Sequence, residues 1–468
     1  IGNPKSEGAV SMIAIHNLDI PYRFPASVLK EAEEETEIGL KGREDWRTIP
    51  LITIDPADAK DHDDAVYAEP DPKVPGGHIV YVAIADVAAY VRPGSALDRE
   101  AYLRGNSVYF PDRVVPMLPE RISNELGSLK EGANKASLAV RMVIGPDGRK
   151  TSHSFHRVIF RSAAKLSYQQ AQAAIDGQPD DKTGPILESI LKPIWAAYET
   201  MAKARDRRGP LDLNIPERKI ILDKTGMVAD IRVPERLEAH RLIEEMMIAA
   251  NVAAAETLEQ QQSPLIYRVH DSPSPEKLQA LRDFLSSLDM PFSRQDAVKL
   301  ADFNRTLARA KAEGKIDQVS EMVLRSQAQA EYSPANYGHF GLNLDRYAHF
   351  TSPIRRYADL IVHRALITAL KLGDDGLTEQ EIGRLDGIAQ HISSTERRAM
   401  LAERETSDRL LAYFLAEQIG STFTGRISGA ARSGILLRLA ETGADGFIPP
   451  SPPGGGFFRF VEERQAMV

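Results

Sequence analysis

The sequence predicts an α/β (α+β) protein, a mixed sheet surrounded by many helices with a small all-β module at its C-terminal end. Three observations carry that reading. β-rich runs separated by turn residues lie between Leu51 and Ala85. Helical periodicity dominates from there to about Gln418. Beyond it, Phe423 to Pro449 alternates apolar and polar residues around Gly425, Gly429, Gly434, Gly443 and Gly446.

A chain of 468 residues exceeds one compact core of ordinary size, so one large domain with smaller attachments is expected. Hydrophobic residues at 43% and charged residues at 26% match a globular chain and not a disordered one. The most apolar stretches, Val82–Val91 and Met246–Ala255, are interrupted by Asp86 and Asn251. They fall short of the roughly 18 residues of a membrane span, so no membrane association is expected. The absence of cysteine excludes disulfides, thiolate zinc sites and thiol nucleophiles, and fits a cytoplasmic location. A net charge of −8 argues against a protein that coats nucleic acid through bulk charge, so any nucleic-acid contact must be local. The chain opens on Ile1 without a basic and apolar leader, and both ends are expected to continue in a longer protein.

In chain order, residues 1–47 are punctuated by proline and then charged through EAEEETEIGLKGRED. They read as the tail of a preceding module, a short exposed helix and a linker, with a boundary near Arg47. Strands are predicted at Leu51–Ile54, Ala65–Ala68 and Ile79–Ala85, forming a small sheet with an acidic loop between the first two. Helices are predicted at about Pro185–Arg208, Leu237–Gln262, Pro275–Leu288, Val319–Tyr332, Pro353–Leu372 and Thr395–Gln418. The large domain therefore occupies 48–419. The module at 420–468 holds about four strands' worth of sequence, so a five-stranded OB barrel would be incomplete there.

Within TIDPADAKDHDDAVY, Asp55 closes a strand and Asp61, Asp63 and Asp64 follow, with only Lys60 to oppose them. Like charges crowded into one site raise one another's pKa and destabilise the fold unless a cation neutralises them. Oxygen ligands without cysteine favour Mg²⁺ or Mn²⁺ over zinc. Carboxylate-held divalent ions activate water for phosphodiester hydrolysis. The competing reading is a solvated acidic turn. A calcium loop is excluded, because counting from Asp61 its required glycine and glutamate positions hold Val66 and Pro72.

The second constellation lies in HFTSPIRRYADLIVHRALITALKLG. Ser352 reads as an N-cap and Pro353 as the first helical residue, which puts Arg355 and Arg356 in the first turn. Cations there oppose the helix dipole unless an anion such as phosphate is also bound. The alternative is that one arginine pairs with a core carboxylate and the other is solvated. His363 and Arg364 read as packing or surface residues. Aspartates suggesting a metal and arginines suggesting phosphate together specify a phosphodiester site.

These segments, with YFPDRVVPMLPERISNELGSLK, RGPLDLNIPERK, RLIEEMMIAANVAAAETL and YGHFGLNLDRYAHFTSPIRRYADLIVHR, resemble the catalytic domain of the ribonuclease II and ribonuclease R family. The resemblance spans about Arg47 to Gly420 and is closer to the ribonuclease R branch. It implies a ribonuclease II-type catalytic fold flanked by OB modules, a cold-shock module ending in 1–47 and a ribosomal-protein-type module beginning at 420. The implied activity is processive hydrolysis of single-stranded RNA from a free 3′ end to nucleoside 5′-monophosphates by a monomer. The implied metal ligands are Asp55, Asp61, Asp63 and Asp64, with Asp63 the one whose loss abolishes chemistry while sparing RNA binding. Arg355 matches the arginine on the scissile phosphate, and Arg356 is its neighbour. Tyr109 matches an aromatic that stacks on the 3′-terminal base, and Glu403 a glutamate near the RNA end. As plain residues, Tyr109 could be a half-buried strand tyrosine and Glu403 a solvated or ion-paired helix residue.

Two other functions compete. His62-Asp63 and His270-Asp271 superficially offer the metal pair of a His-Asp phosphohydrolase, and the fold could also serve a non-catalytic RNA-binding protein.

Overall fold

The computed structural model describes residues 9–450 and two short strands at 460–461 and 466–467. The first eight residues and most of the tail after Pro450, where the ends of the expected flanking modules fall, lie outside the described residues.

Strands β1 (Glu44–Asp45), β2 (Ile52–Asp55), β3 (Asp64–Pro70) and β4 (His78–Ala85) come first. A two-stranded ribbon of β5 (Val108–Tyr109) and β6 (Val114–Val115) intervenes before β7 (Asn134–Ile144), β8 (Lys150–Arg161) and β9 (Ala164–Ser167). The central sheet runs β1-β8-β7-β4-β3-β2-β9 and is mixed, because β1 and β9 join their neighbours in parallel while the other pairs are antiparallel. Every residue of β4 is buried, which explains its unbroken apolar run at the sheet centre.

The β7–β8 hairpin holds the two longest strands of that sheet, where the sequence reads as helical territory. Most of β7 is buried, so the period-two alternation that marks a half-exposed strand is absent. Its turn, Gly145-Pro146-Asp147-Gly148, places Gly148 at φ +85°, and a Cβ there would collide with the Thr200 carbonyl. Gly148→Ala is therefore expected to destabilise the protein by about 1–3 kcal/mol, read as a lower urea midpoint at unchanged slope.

Helices surround the sheet. In chain order the first six are α1 (Ala9–Asn17), α2 (Ala26–Glu34), α3 (Ala96–Arg104), α4 (Tyr168–Ile175), α5 (Lys192–Arg208) and α6 (Glu238–Gln260). Short strands β10 (Lys219–Leu222) and β11 (Val228–Arg232) pair between α5 and α6. After α6, β12 (Tyr267–Val269) pairs with β13 (Glu331–Ser333) across an insertion of α7 (Pro275–Ser287), α8 (Leu300–Ala312) and α9 (Ile316–Ser326). That trio has its own core of Leu278, Leu281, Phe303, Val319 and Val323. The predicted helix to Tyr332 is thus two elements. It stops at Ser326, because Tyr332 N–H donates instead to Ser393 Oγ at 3.0 Å and its segment pairs with β12.

The chain continues through α10 (Tyr357–Ala369), α11 (Glu379–Ile382) and α12 (Leu385–Ala416), the last beginning ten residues before the predicted Thr395. A three-stranded antiparallel sheet of β14 (Gly425–Ala431), β15 (Gly434–Leu439) and β16 (Asp445–Ile448) follows. One apolar core packs the central sheet against α6 and α10. A buried ion network ties it together: Asp86, fully buried after β4, accepts from Arg43 at 2.6 Å and Arg157 at 2.7 Å, and Arg157 also holds Asp375. His363 and Arg364 are packing residues, the first bonded to the Phe350 carbonyl and the second to Asp98 and Glu381. Among the described residues no helix is long and apolar enough to cross a membrane.

Candidate active site

The four aspartates sit where two adjacent strands end and begin. Asp55 is the last residue of β2, and Asp64 is the first of β3, paired with Ile84. The loop between them is pinned by backbone bonds. His62 N–H donates to Ser128 Oγ at 2.9 Å, that hydroxyl donates to the Lys60 carbonyl, and Leu129 N–H donates to the His62 carbonyl. Asp55, Asp61, Asp63 and Asp64 consequently line one cavity of about 710 Å³.

The cavity is electrostatically strained. Burial pushes the Asp61 carboxyl up, and Asp63 well up despite the bond it accepts from Ile354 N–H at 3.0 Å. Burial, and then repulsion from Asp55, push Asp64 to about 8. The Arg355 guanidinium pulls all three back down, but does not outweigh burial. As these side chains stand, no three His, Cys, Asp or Glu groups converge on one point among the described residues. Asp55 Oδ2 is bonded to His62 Nδ1 at 2.7 Å and Asp63 Oδ1 to Ile354 N–H, so both have turned to protein donors. Asp64 Oδ2 is buried with no hydrogen-bond partner among the described residues. An orphaned carboxylate oxygen among acids that cannot comfortably ionise together fits a hard divalent cation with oxygen ligands.

Arg355 reaches the same cavity by a route the sequence reading misplaced. Residues 353–355 form a turn, and α10 begins only at Tyr357. The helix is pre-empted by long-range pairing: Ser107 N–H donates to the Arg355 carbonyl and Tyr357 N–H to the Gly105 carbonyl, each at 3.0 Å. Arg355 therefore leaves the helix axis, its Nη2 held by Ser352 Oγ at 3.1 Å. Arg356 does not line the cavity. It turns to Asp359 at 2.8 Å and is 18% exposed.

Tyr109 stands on β5 with 42% of its surface exposed and its side lining the cavity. Its backbone N–H donates to Glu403 Oε1 on α12 at 2.8 Å, so the structure brings Glu403 to Tyr109. Burial raises the Glu403 carboxyl. His270 is elsewhere, between Gly341 N–H and the Ala328 carbonyl, with both ring nitrogens engaged; the two His-Asp pairs do not assemble.

Several lining residues were not singled out from sequence, among them Tyr168, Lys219 and Ser107. Tyr168 opens α4 and stacks on His240 at 4.0 Å, and burial raises its hydroxyl pKa. The Ser167 to Gln170 capping box that starts its helix was a readable signal. Lys219 of β10 and Ser107 also line the cavity, and no local pattern marks them.

A mixed sheet that presents Asp55, Asp61, Asp63, Asp64 and an arginine at one cavity is an arrangement suited to metal-assisted phosphodiester chemistry. The RNB domain matches residues 43–372, and the chain belongs to the RNB-domain family. It is similar to ribonuclease R of Vibrio parahaemolyticus, with 38% identity over 489 residues covering 100% of this chain and 58% of the relative. The chain thus spans less than two thirds of that relative's length. It is also similar to Mycoplasma genitalium RNase R in complex with ribose-methylated single-stranded RNA, at a TM-score of 0.94 and 30% identity over 100% of this chain and 73% of the other. Yeast Ssd1, a pseudonuclease, shares the fold at a TM-score of 0.70 and 19% identity, over 96% of this chain and 54% of its own.

Proposed function

We propose that this chain carries the catalytic core of a processive 3′-to-5′ exoribonuclease that hydrolyses single-stranded RNA to nucleoside 5′-monophosphates. The observation that supports it most is the convergence of Asp55, Asp61, Asp63, Asp64, Arg355 and the exposed Tyr109 on one cavity. Likeness to ribonuclease R proteins points the same way. The catalytic domain is assigned to 48–419, with the end of a cold-shock module before it and the start of an RNA-binding OB module after it. The protein acts as a cytoplasmic monomer on RNA with a free 3′ end.

Asp55, Asp61, Asp63 and Asp64 would hold divalent ions, Mg²⁺ with Mn²⁺ as a substitute, and such ions when bound would supply an activated water and charge neutralisation. Arg355 offers its remaining guanidinium N–H groups to the non-bridging oxygens of the scissile phosphate, where charge grows in the transition state. Tyr109 presents a ring face to the terminal base, which fixes the phosphate register. Glu403 holds the Tyr109 backbone in place from α12.

Tyr109→Ala is expected to weaken binding of a short RNA by about 1–3 kcal/mol, with Tyr109→Phe near wild type, measured by fluorescence anisotropy in EDTA. The direct test is digestion of 5′-labelled single-stranded RNA with Mg²⁺, beside the same DNA sequence and an EDTA control. Progressive 3′ shortening of RNA alone is expected. Binding without shortening would favour a non-catalytic RNA-binding protein, and phosphate release from nucleotides a phosphohydrolase.

A further inference from the structure

The turn that delivers Arg355 has no helical ladder beneath it. Within the turn the Ser352 carbonyl accepts from Arg355 N–H at 3.3 Å and Arg356 N–H at 3.0 Å, and from outside it Ser107 N–H donates to the Arg355 carbonyl. What anchors Ser352 itself is Asp359, one residue row into α10 and fully buried. Its Oδ2 accepts the Ser352 N–H at 2.7 Å and the Arg356 Nη2 at 2.8 Å. Ser352 Oγ in turn accepts from Arg355 Nη2. The same turn donates Ile354 N–H to Asp63, so its placement also sets one of the four acids.

We propose that Asp359 and Arg356 are a positioning pair for the reaction, holding the Ser352 turn so that the Arg355 guanidinium faces the aspartates. The pair is poorly built for stability alone. Asp359 Oδ1 and Arg356 Nε are buried without hydrogen-bond partners among the described residues. A buried ion pair with unsatisfied atoms is typically no more stabilising than an apolar pair of similar volume. What an apolar pair cannot do is accept the Ser352 N–H. Arg356 is thereby separated in role from Arg355: it touches no substrate and acts through its neighbour.

The kinetic consequence rests on the exoribonuclease reading, whereas the geometric one does not. The test compares wild type, Asp359→Asn and the double variant Arg356→Met with Asp359→Leu, by melting temperature, kcat and KM on RNA, and crystal structures of each. The double variant is expected to melt near wild type, yet to lose about 10- to 100-fold in kcat with KM little changed, and to show Arg355 displaced from the cavity. Asp359→Asn keeps an oxygen for Ser352 N–H and is expected to lose less. A double variant with wild-type kcat and Arg355 in place would overturn the proposal, since a merely structural pair predicts that recovered folding recovers activity. If the double variant does not fold, Arg356→Met alone decides, since it removes the cation that shares Asp359 Oδ2: a lower kcat with Arg355 displaced supports the pair, and wild-type kcat with Arg355 in place overturns it. If wild type itself does not digest RNA, the exoribonuclease reading falls, and the position of Arg355 in the variant structures still decides the positioning role.

Discussion

Asp63→Asn is expected to cut RNA turnover below about a thousandth of wild type while leaving RNA affinity within about twofold and raising the melting temperature of the ion-free protein. Asparagine is close in size and keeps an oxygen that can accept the Ile354 N–H, so the loop and the Arg355 turn stay in register. What disappears is a negative charge on a residue only 6% exposed, beside Asp61 and Asp64. Without an ion that charge costs folding free energy, and its removal stabilises. With an ion it is the charge that the proposed chemistry would use. Opposite signs for activity and stability from one isosteric change distinguish a catalytic acid from a structural one. Kinetics, anisotropy and calorimetry on the same preparation read all three.

The same acids give the ion-free protein a pH signature. Asp64 has its carboxyl raised from 3.8 to about 8, so its folded form holds a proton that the unfolded chain releases. Its contribution to stability is fully present below about pH 4 and is lost as pH rises through about 8. In EDTA the melting temperature should therefore fall between those limits, and Mg²⁺ should restore it most at the alkaline end. Equal melting temperatures with and without Mg²⁺ at pH 8.5 would argue against a metal at this cluster.

How much of this was legible in the sequence depends on the range of the interactions involved. The aspartates were readable because β2 and β3 are signalled by apolar runs on either side of a short loop, and the chain itself carries all four acids to one place. The Arg355 turn was misread as helix because Ser352 and Pro353 are good local helix-start residues. The bonds that win there come from Ser107 and Gly105, some 250 residues away in sequence. Tyr332 was assigned to a helix for the same reason, its partners being Ser393 and β12. Strand β7 escaped because burial on both faces erases the alternation used to find strands. Lys219 joins the cavity wall only through tertiary folding, and nothing in its neighbours announces it.

Arg355→Ala is expected to lower kcat by about 10²- to 10³-fold with the fold intact, the range seen when one preorganised donor to a developing oxyanion is removed. The fold should survive because the side chain makes a single bond, to Ser352 Oγ, and its backbone contacts to Ser107 and Ser352 do not depend on it. Arg355→Lys should recover only part of the loss, since an ammonium supplies a point charge without the planar fork that grips two phosphate oxygens. A second consequence separates phosphate binding from general electrostatics. Arg355 holds down the pKa of Asp61, Asp63 and Asp64, so its removal shifts all three further up. The acid limb of the pH–rate profile should then move to higher pH, and more Mg²⁺ should be needed for half-maximal rate. Loss of kcat without that alkaline displacement would confine Arg355 to the phosphate; displacement without loss of kcat at high pH would make it a tuner of the acids alone. The single cavity that holds all four groups predicts both effects together.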